Sequence, residues 1–191
     1  MRRTVAAAVP NGYRDVRNLS TSWQVVAVVA GTLALALSSY VRVPMYPVPM
    51  TMQTLAVPLV GMLYGWRLGT ITITAWLVQG ALGLPVLSGG ASGAHHFGGP
   101  TGGYLFAFPI AGALAGWLAE RGWNGRRIGL AFLAMAAANA ICLALGCAWL
   151  SATVGVEKAV ALGVVPFLAG ALVKSALGAV LLAALARRPR R

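Results

Sequence analysis

The chain has 191 residues, of which 59% are hydrophobic and only 9% charged, and its mean hydropathy is positive. Soluble domains carry about half apolar and about a quarter charged residues, so this chain cannot cover a water-facing surface and the bilayer is its solvent. The formal net charge of +12 does not point to nucleic acid. The arginines sit at the chain ends and in short breaks between apolar runs, not in a patch that would follow a phosphate backbone.

Residues 1–22 carry Arg2, Arg3, Arg14 and Arg17 and form an N-terminal tail. The first apolar run, 23–40, lacks a small-residue cleavage site and is expected to remain as a membrane helix. It ends before Arg42 and the cluster Pro44, Pro47 and Pro49, whose rings stop a helix. A second span covers 51–66, a break follows at Gly65-Trp66-Arg67, and a third span runs 68–84 to Pro85. The fourth covers 101–119, the charged turn Glu120 to Arg127 follows, and the fifth runs 128–150. Residues 151–163 connect outside, and the sixth span starts at Pro166, a favoured first-turn position, and ends at Ala186 before the basic tail 187–191.

The fold class is therefore an all-α integral membrane protein, a bundle of six transmembrane helices over residues 23–186. Twelve arginines fall in the two tails and in the second-to-third and fourth-to-fifth connections, whereas Arg42 and Lys158 fall on the opposite side. By the positive-inside rule both termini are cytoplasmic. The outer loops are 41–50, 85–100 and 151–163. Cys142 and Cys147 lie five apart in one helical run, which points them in different directions and too far apart for a disulfide.

Chemistry is sparse and localised. Ser88 to Gly103 is glycine-rich, and Gly89, Gly90, Gly99 and Gly102 let backbone approach a ligand or let the segment gate a cavity. No Gly-Lys phosphate loop is present, so ATP hydrolysis is not expected of this chain, and no cofactor is implied. His95 and His96 stand without nearby Cys, Asp or Glu and make a poor metal site. Lys174 lies some eight residues into the sixth span, where a lysine costs about 2.5–3.5 kcal/mol unless paired or solvated. No acidic residue lies in any other span, so an anionic ligand is its natural counter-charge. Thr51, Gln53 and Thr54 open the second span, Gln79 lies in the third, Thr101 and Tyr104 open the fourth, and Asn139 lies in the fifth. These neutral groups serve either as helix cross-links or, with Lys174, as the polar wall of a site for a ligand with amide-like groups, an apolar body and one carboxylate. Ala27, Ala30, Gly31, Ala34 and Ser38 make a smooth stripe on the first helix, suited equally to internal packing and to docking another membrane protein.

Four stretches carry a family resemblance: Arg42-Val43-Pro44 with Pro47-Val48-Pro49-Met50-Thr51-Met52-Gln53-Thr54; Gly83-Leu84-Pro85-Val86 with the glycine run; Gly99-Pro100-Thr101-Gly102-Gly103-Tyr104-Leu105; and Pro166-Phe167-Leu168 through Lys174. In these the chain resembles the BioY proteins, the biotin-specific S components of energy-coupling-factor (ECF) transporters. The resemblance implies a vitamin site near the outer face of a six-helix bundle in the bacterial cytoplasmic membrane. Gln53, Thr101, Tyr104, Asn139 and Lys174 would bind biotin beneath a gating loop that includes Pro49. It also implies separate ATPase subunits and a transmembrane coupling protein docked on Ala30 and Ala34. The family commonly places an acidic residue three positions before the helix-six lysine, where this chain has Ala171. Rival readings are an S component for another small carboxylate-bearing vitamin and an intramembrane enzyme using His95, His96 or Lys174.

Overall fold

The computed structural model describes residues 20–187; the N-terminal tail as far as residue 19 and the last four residues lie outside the described residues. Helix α1 (Thr21–Tyr40) leads into a two-residue hairpin, β1 (Arg42–Val43) against β2 (Met50–Thr51), antiparallel with Arg42 opposite Thr51. Then come α2 (Gln53–Ala81), a 3₁₀ turn at Ser88–Gly90, the single turn α3 (His95–Gly98), α4 (Gly102–Glu120), α5 (Ile128–Val154), α6 (Val156–Gly163) and α7 (Val165–Ala186). Among the described residues, five helical segments are long and apolar enough to cross a membrane.

The second of these segments is broken at Gly65, whose φ of 79° and ψ of 169° fall in a region essentially restricted to glycine. The break reverses the chain. A Cβ on Gly69 would stand 2.9 Å from the Cα of Gly61, whereas eight residues of straight helix would separate them by about 12 Å. Two arms, 53–64 and 66–81, therefore lie side by side, and the expected break at Gly65-Trp66-Arg67 falls where it was read. The second arm stops at Ala81, short of the expected Leu84. Its end is a Schellman turn: Gly83 at φ 102° donates to Gly80 O, and Leu84 N donates to Gln79 O, which satisfies the last carbonyls before Pro85 is reached.

Two of the connections expected to be outer loops differ from expectation. Residues 151–163 form no open loop, because α5 continues to Val154 and α6 follows after Gly155 at φ 84°. The residues Val156–Gly163 carry no proline and form helix once the glycine has turned the chain. The 41–50 connection contains the small hairpin, an exception to an all-α description. Its prolines lie within the loop or flank the paired residues, so both strands keep the donors they need.

The surface is inverted relative to a soluble protein. Val25, Val29, Leu33 and Leu37 on α1 and Leu172, Val173 and Val180 on α7 are exposed, as expected where hydrocarbon is the solvent. The interior holds Leu35, Val57, Ile73, Trp76, Met135 and Leu182. Glycines bring α2 and α4 into backbone contact: a Cβ on Gly61 would run into the Gly112 backbone, and one on Gly116 would stand 2.6 Å from Trp66 N. Without a hydrophobic drive between helices in lipid, such close approach supplies dispersion in its place.

Candidate functional site

At the end of the bundle away from the Gly65 turn, the elements surround a cavity of about 250 Å³. The hairpin contributes Arg42, Val48, Pro49 and Thr51, and the start of α2 contributes Gln53 and Thr54. Leu87, Ser88, Ala91 and His96 come from the glycine-rich segment. Thr101 comes from the N-cap of α4, Tyr104, Leu105 and Phe108 from α4 itself, Asn139, Cys142 and Leu143 from α5, and Phe167, Ala171 and Lys174 from α7. Most of the wall is apolar. The polar groups are few and clustered, as in ligand sites generally.

Lys174 is buried, and its Nζ donates to the Thr51 carbonyl at 2.7 Å and to Thr54 Oγ1 at 2.9 Å. Both acceptors are neutral. An ammonium has three donors, and two are spent on pinning α7 to the entry of α2. Thr51 Oγ1 donates to Gln53 Oε1 at 2.9 Å, and Gln53 Nε2 is buried with no hydrogen-bond partner. Ser88 Oγ is the other buried side-chain atom of that kind among the described residues. Both residues belong to the cavity wall.

Asn139 donates from Nδ2 to Met135 O at 3.0 Å and to Ser175 Oγ at 3.1 Å, and Ser175 in turn donates to Ala171 O at 2.7 Å. It cross-links α5 to α7 while lining the cavity. Tyr104 donates to Gly163 O at 2.7 Å and packs its ring 6.4 Å from that of Phe167, so its hydroxyl ties α4 to the α6–α7 connection. Thr101 caps α4, its carbonyl accepting from the Tyr104 and Leu105 amides.

All five residues expected to bind a ligand line this one cavity, as do Thr51 and Thr54. Of the gating residues only Pro49 lines it. Gly89 packs under the Arg42 guanidinium, Gly90 against the Tyr40 ring, and Gly102 against the Phe97 carbonyl and Trp149, while the Gly99 carbonyl accepts from Trp149 Nε1 at 3.0 Å. Gly89, Gly90 and Gly102 let this segment lie close on its neighbours. The segment is further pinned by Ser39 Oγ on Leu87 O at 3.0 Å and Tyr40 Oη on Pro85 O at 2.6 Å. Gln79 lies outside the wall and is partly exposed.

Several wall residues escaped sequence reading. Arg42 was legible as the lone arginine of the 41–50 connection. Leu87, Leu105, Phe108 and Phe167 carry no signal, being apolar residues in apolar stretches. His95 and His96 stack with ring centroids 4.1 Å apart. Burial first, and then the neighbouring His95, lower the pKa of His96 from its ordinary value, which favours the neutral form of this cavity-lining imidazole. Among the described residues no group of three His, Cys, Asp or Glu side chains is placed to hold a metal. Ala30 and Ala34 are exposed on the outer face of α1, whereas Gly31 turns inward against Thr72 and Tyr64. Cys142 and Cys147 are both free thiols.

The chain is similar to several known proteins. It is 38% identical over 152 residues to the probable biotin transporter BioY of Pyrococcus horikoshii, covering 79% of this chain and 89% of that protein. It is 33% identical over 156 residues to the biotin transporter BioY of Thermotoga maritima, covering 78% and 88%. Its fold matches the crystal structure of the S-component for biotin from an ECF-type ABC transporter with a TM-score of 0.76 at 24% identity, over 90% of this chain and 96% of that one. The named relatives are transporters and not enzymes, and the apolar helices agree with a multi-pass membrane protein. The sequence model of the BioY family matches residues 12–191, and this chain belongs to the BioY family.

Proposed function

We propose that this chain captures biotin from outside the cytoplasmic membrane as the S component of an ECF-type importer, with a transmembrane coupling protein and ATPase subunits supplying the energy. The observation that carries the reading is the buried Lys174 in a largely apolar cavity whose described lining also includes Arg42 but no Asp or Glu. Two cations without a carboxylate favour an anionic ligand, and the apolar wall suits a fused ring and an aliphatic chain. The two unpartnered polar atoms, Gln53 Nε2 and Ser88 Oγ, are of the kind a ureido group would satisfy, and leaving such atoms unmet costs about 1–3 kcal/mol each. The relatives' names, biotin transporters, point the same way.

The two arms of α2 count as separate spans in this reading. The total is then six, and both termini lie on the cytoplasmic side with Arg67 and Arg121, as the basic-residue bias requires. The cavity opens outward. Gln53, Thr101, Tyr104, Asn139 and Lys174 form its binding wall, and the hairpin with Pro49 and the segment bearing Gly89, Gly90, Gly99 and Gly102 forms its cover. Ala30 and Ala34 face outward to meet the coupling protein. Equilibrium binding of labelled biotin to the purified chain, with competition by other carboxylate-bearing vitamins, tests the reading. Saturable binding that only biotin displaces, with unchanged ligand recovered, supports it; equal displacement by another vitamin overturns the specificity.

A further inference from the structure

At the end opposite the cavity, the turn at 65–67 meets the C-terminus of α4. The Trp66 amide donates to Glu120 Oε1 at 3.2 Å, and Gly116 brings the two backbones together. Arg67 and Arg121 are carried on these two joined segments. The Arg67 Cζ lies 5.1 Å from the centroid of the Trp66 ring, and the Arg121 Cζ lies 3.4 Å from that of Trp117. Arg121 Nη1 also reaches the Trp117 carbonyl at 3.4 Å. Both indoles are exposed, at 40% and 42%. Beside Trp66 lies an open depression of about 530 Å³ lined by Gln24, Trp66, Arg67, Leu68, Ile71 and Glu120, and Arg121 follows Glu120 directly in the chain.

A guanidinium stacked on an indole has its plane held while an N–H edge stays available, and a held fork is what bidentate recognition of phosphate uses. Tryptophan side chains settle at the headgroup level of a bilayer. Leu68 and Ile71 continue the depression into apolar surface, so a phosphate met here can carry an acyl chain. Glu120 is the one carboxylate in the wall and is engaged with the Trp66 amide. Arg126 and Arg127 follow in the same connection.

We propose that Arg67 and Arg121, each laid over a tryptophan where the 65–67 turn meets the end of α4, bind the phosphate of an anionic phospholipid headgroup. In the orientation proposed above this end faces the cytoplasmic leaflet, where anionic lipid concentrates. The inference rests on that reading only for the choice of leaflet.

The test measures the melting temperature of the purified chain in neutral detergent against added dioleoylphosphatidylglycerol, dioleoylphosphatidylcholine or soluble glycerol 1-phosphate. Phosphatidylglycerol raises it well above the phosphatidylcholine value, and glycerol 1-phosphate leaves it unmoved. The double variant Arg67→Gln with Arg121→Gln loses most of that excess, and Arg187→Gln keeps it. The shift caused by biotin persists in each variant and shows that the fold survives, while its absence from the parent would count against the biotin reading alone. If the double variant does not fold, Arg67→Lys, which keeps charge but not the fork, loses the excess in its place. Equal shifts from both lipids, a matching shift from glycerol 1-phosphate, or a preference undiminished in the folded variant overturns the proposal.

Discussion

The Nζ of Lys174 donates a 2.7 Å hydrogen bond to the carbonyl of Thr51, a residue 123 positions earlier in the chain. This bond joins the helix that carries the buried cation to the hairpin that covers the cavity. In the proposed reading this bond couples ligand binding to the position of the hairpin, because a carboxylate drawn to the ammonium competes with the Thr51 carbonyl for its protons.

Lys174→Met keeps an unbranched side chain one atom shorter and suits hydrocarbon, but it removes both the charge and the tie to Thr51 and Thr54. We expect normal insertion and a biotin Kd raised by about 100-fold, or about 2.8 kcal/mol, by equilibrium titration. Affinity equal to the parent would make Lys174 a purely structural residue.

Ala30→Leu and Ala34→Leu place bulk on the exposed face of α1, away from the residues that line the cavity. Biotin binding in detergent is expected to stay within about twofold, while uptake by cells that also hold the partner subunits falls sharply. Lost binding would show that the stripe packs internally.

At Gly116 any side chain meets the backbone of Trp66 and Gly65. Backbone cannot give way as a flexible side chain can, so Gly116→Val is expected to cost more than about 2 kcal/mol. A melting temperature near the parent's would contradict the close packing of α2 on α4.

Tyr104→Phe deletes one buried hydrogen bond, that to Gly163 O, and leaves the ring in the cavity wall. The expected loss is about 1–2 kcal/mol of stability with less than about tenfold in biotin affinity. A far larger affinity loss would mean that the hydroxyl leaves Gly163 and contacts the ligand.

The lowered pKa of His96 has a pH signature. A histidine that binds its proton less well when folded leaves the unfolded chain holding more protons, so stability rises with pH across the window. Its contribution is complete above the ordinary value of about 6.5 and is lost as pH falls below it. The melting temperature should be level from about pH 7 to 8 and decline in acid, and His96→Gln should flatten that decline. An unchanged acid slope in the variant would assign it elsewhere.

Composition, the spacing of apolar runs and the positions of arginine were enough to place the chain in a bilayer and to locate its long helices within a few residues, though not the short α3 and α6. Local chemistry decides those features: hydrocarbon demands continuous apolar helix, and Gly65, Pro85 and Pro166 act on their immediate neighbours. Lys174 was legible for the same reason, since an unpaired charge in a membrane helix is anomalous wherever the rest of the chain lies. What the sequence left open was which groups meet. Asn139 as a cross-link to Ser175, Lys174 on Thr51 and Thr54, Phe108 and Phe167 as cavity wall, and the outward turn of Ala30 and Ala34 all depend on how α1, α2, α4, α5 and α7 are rotated against one another. That rotation is set by close backbone approach at small residues such as Gly61, Gly112 and Gly116, a many-body packing condition that no local pattern expresses.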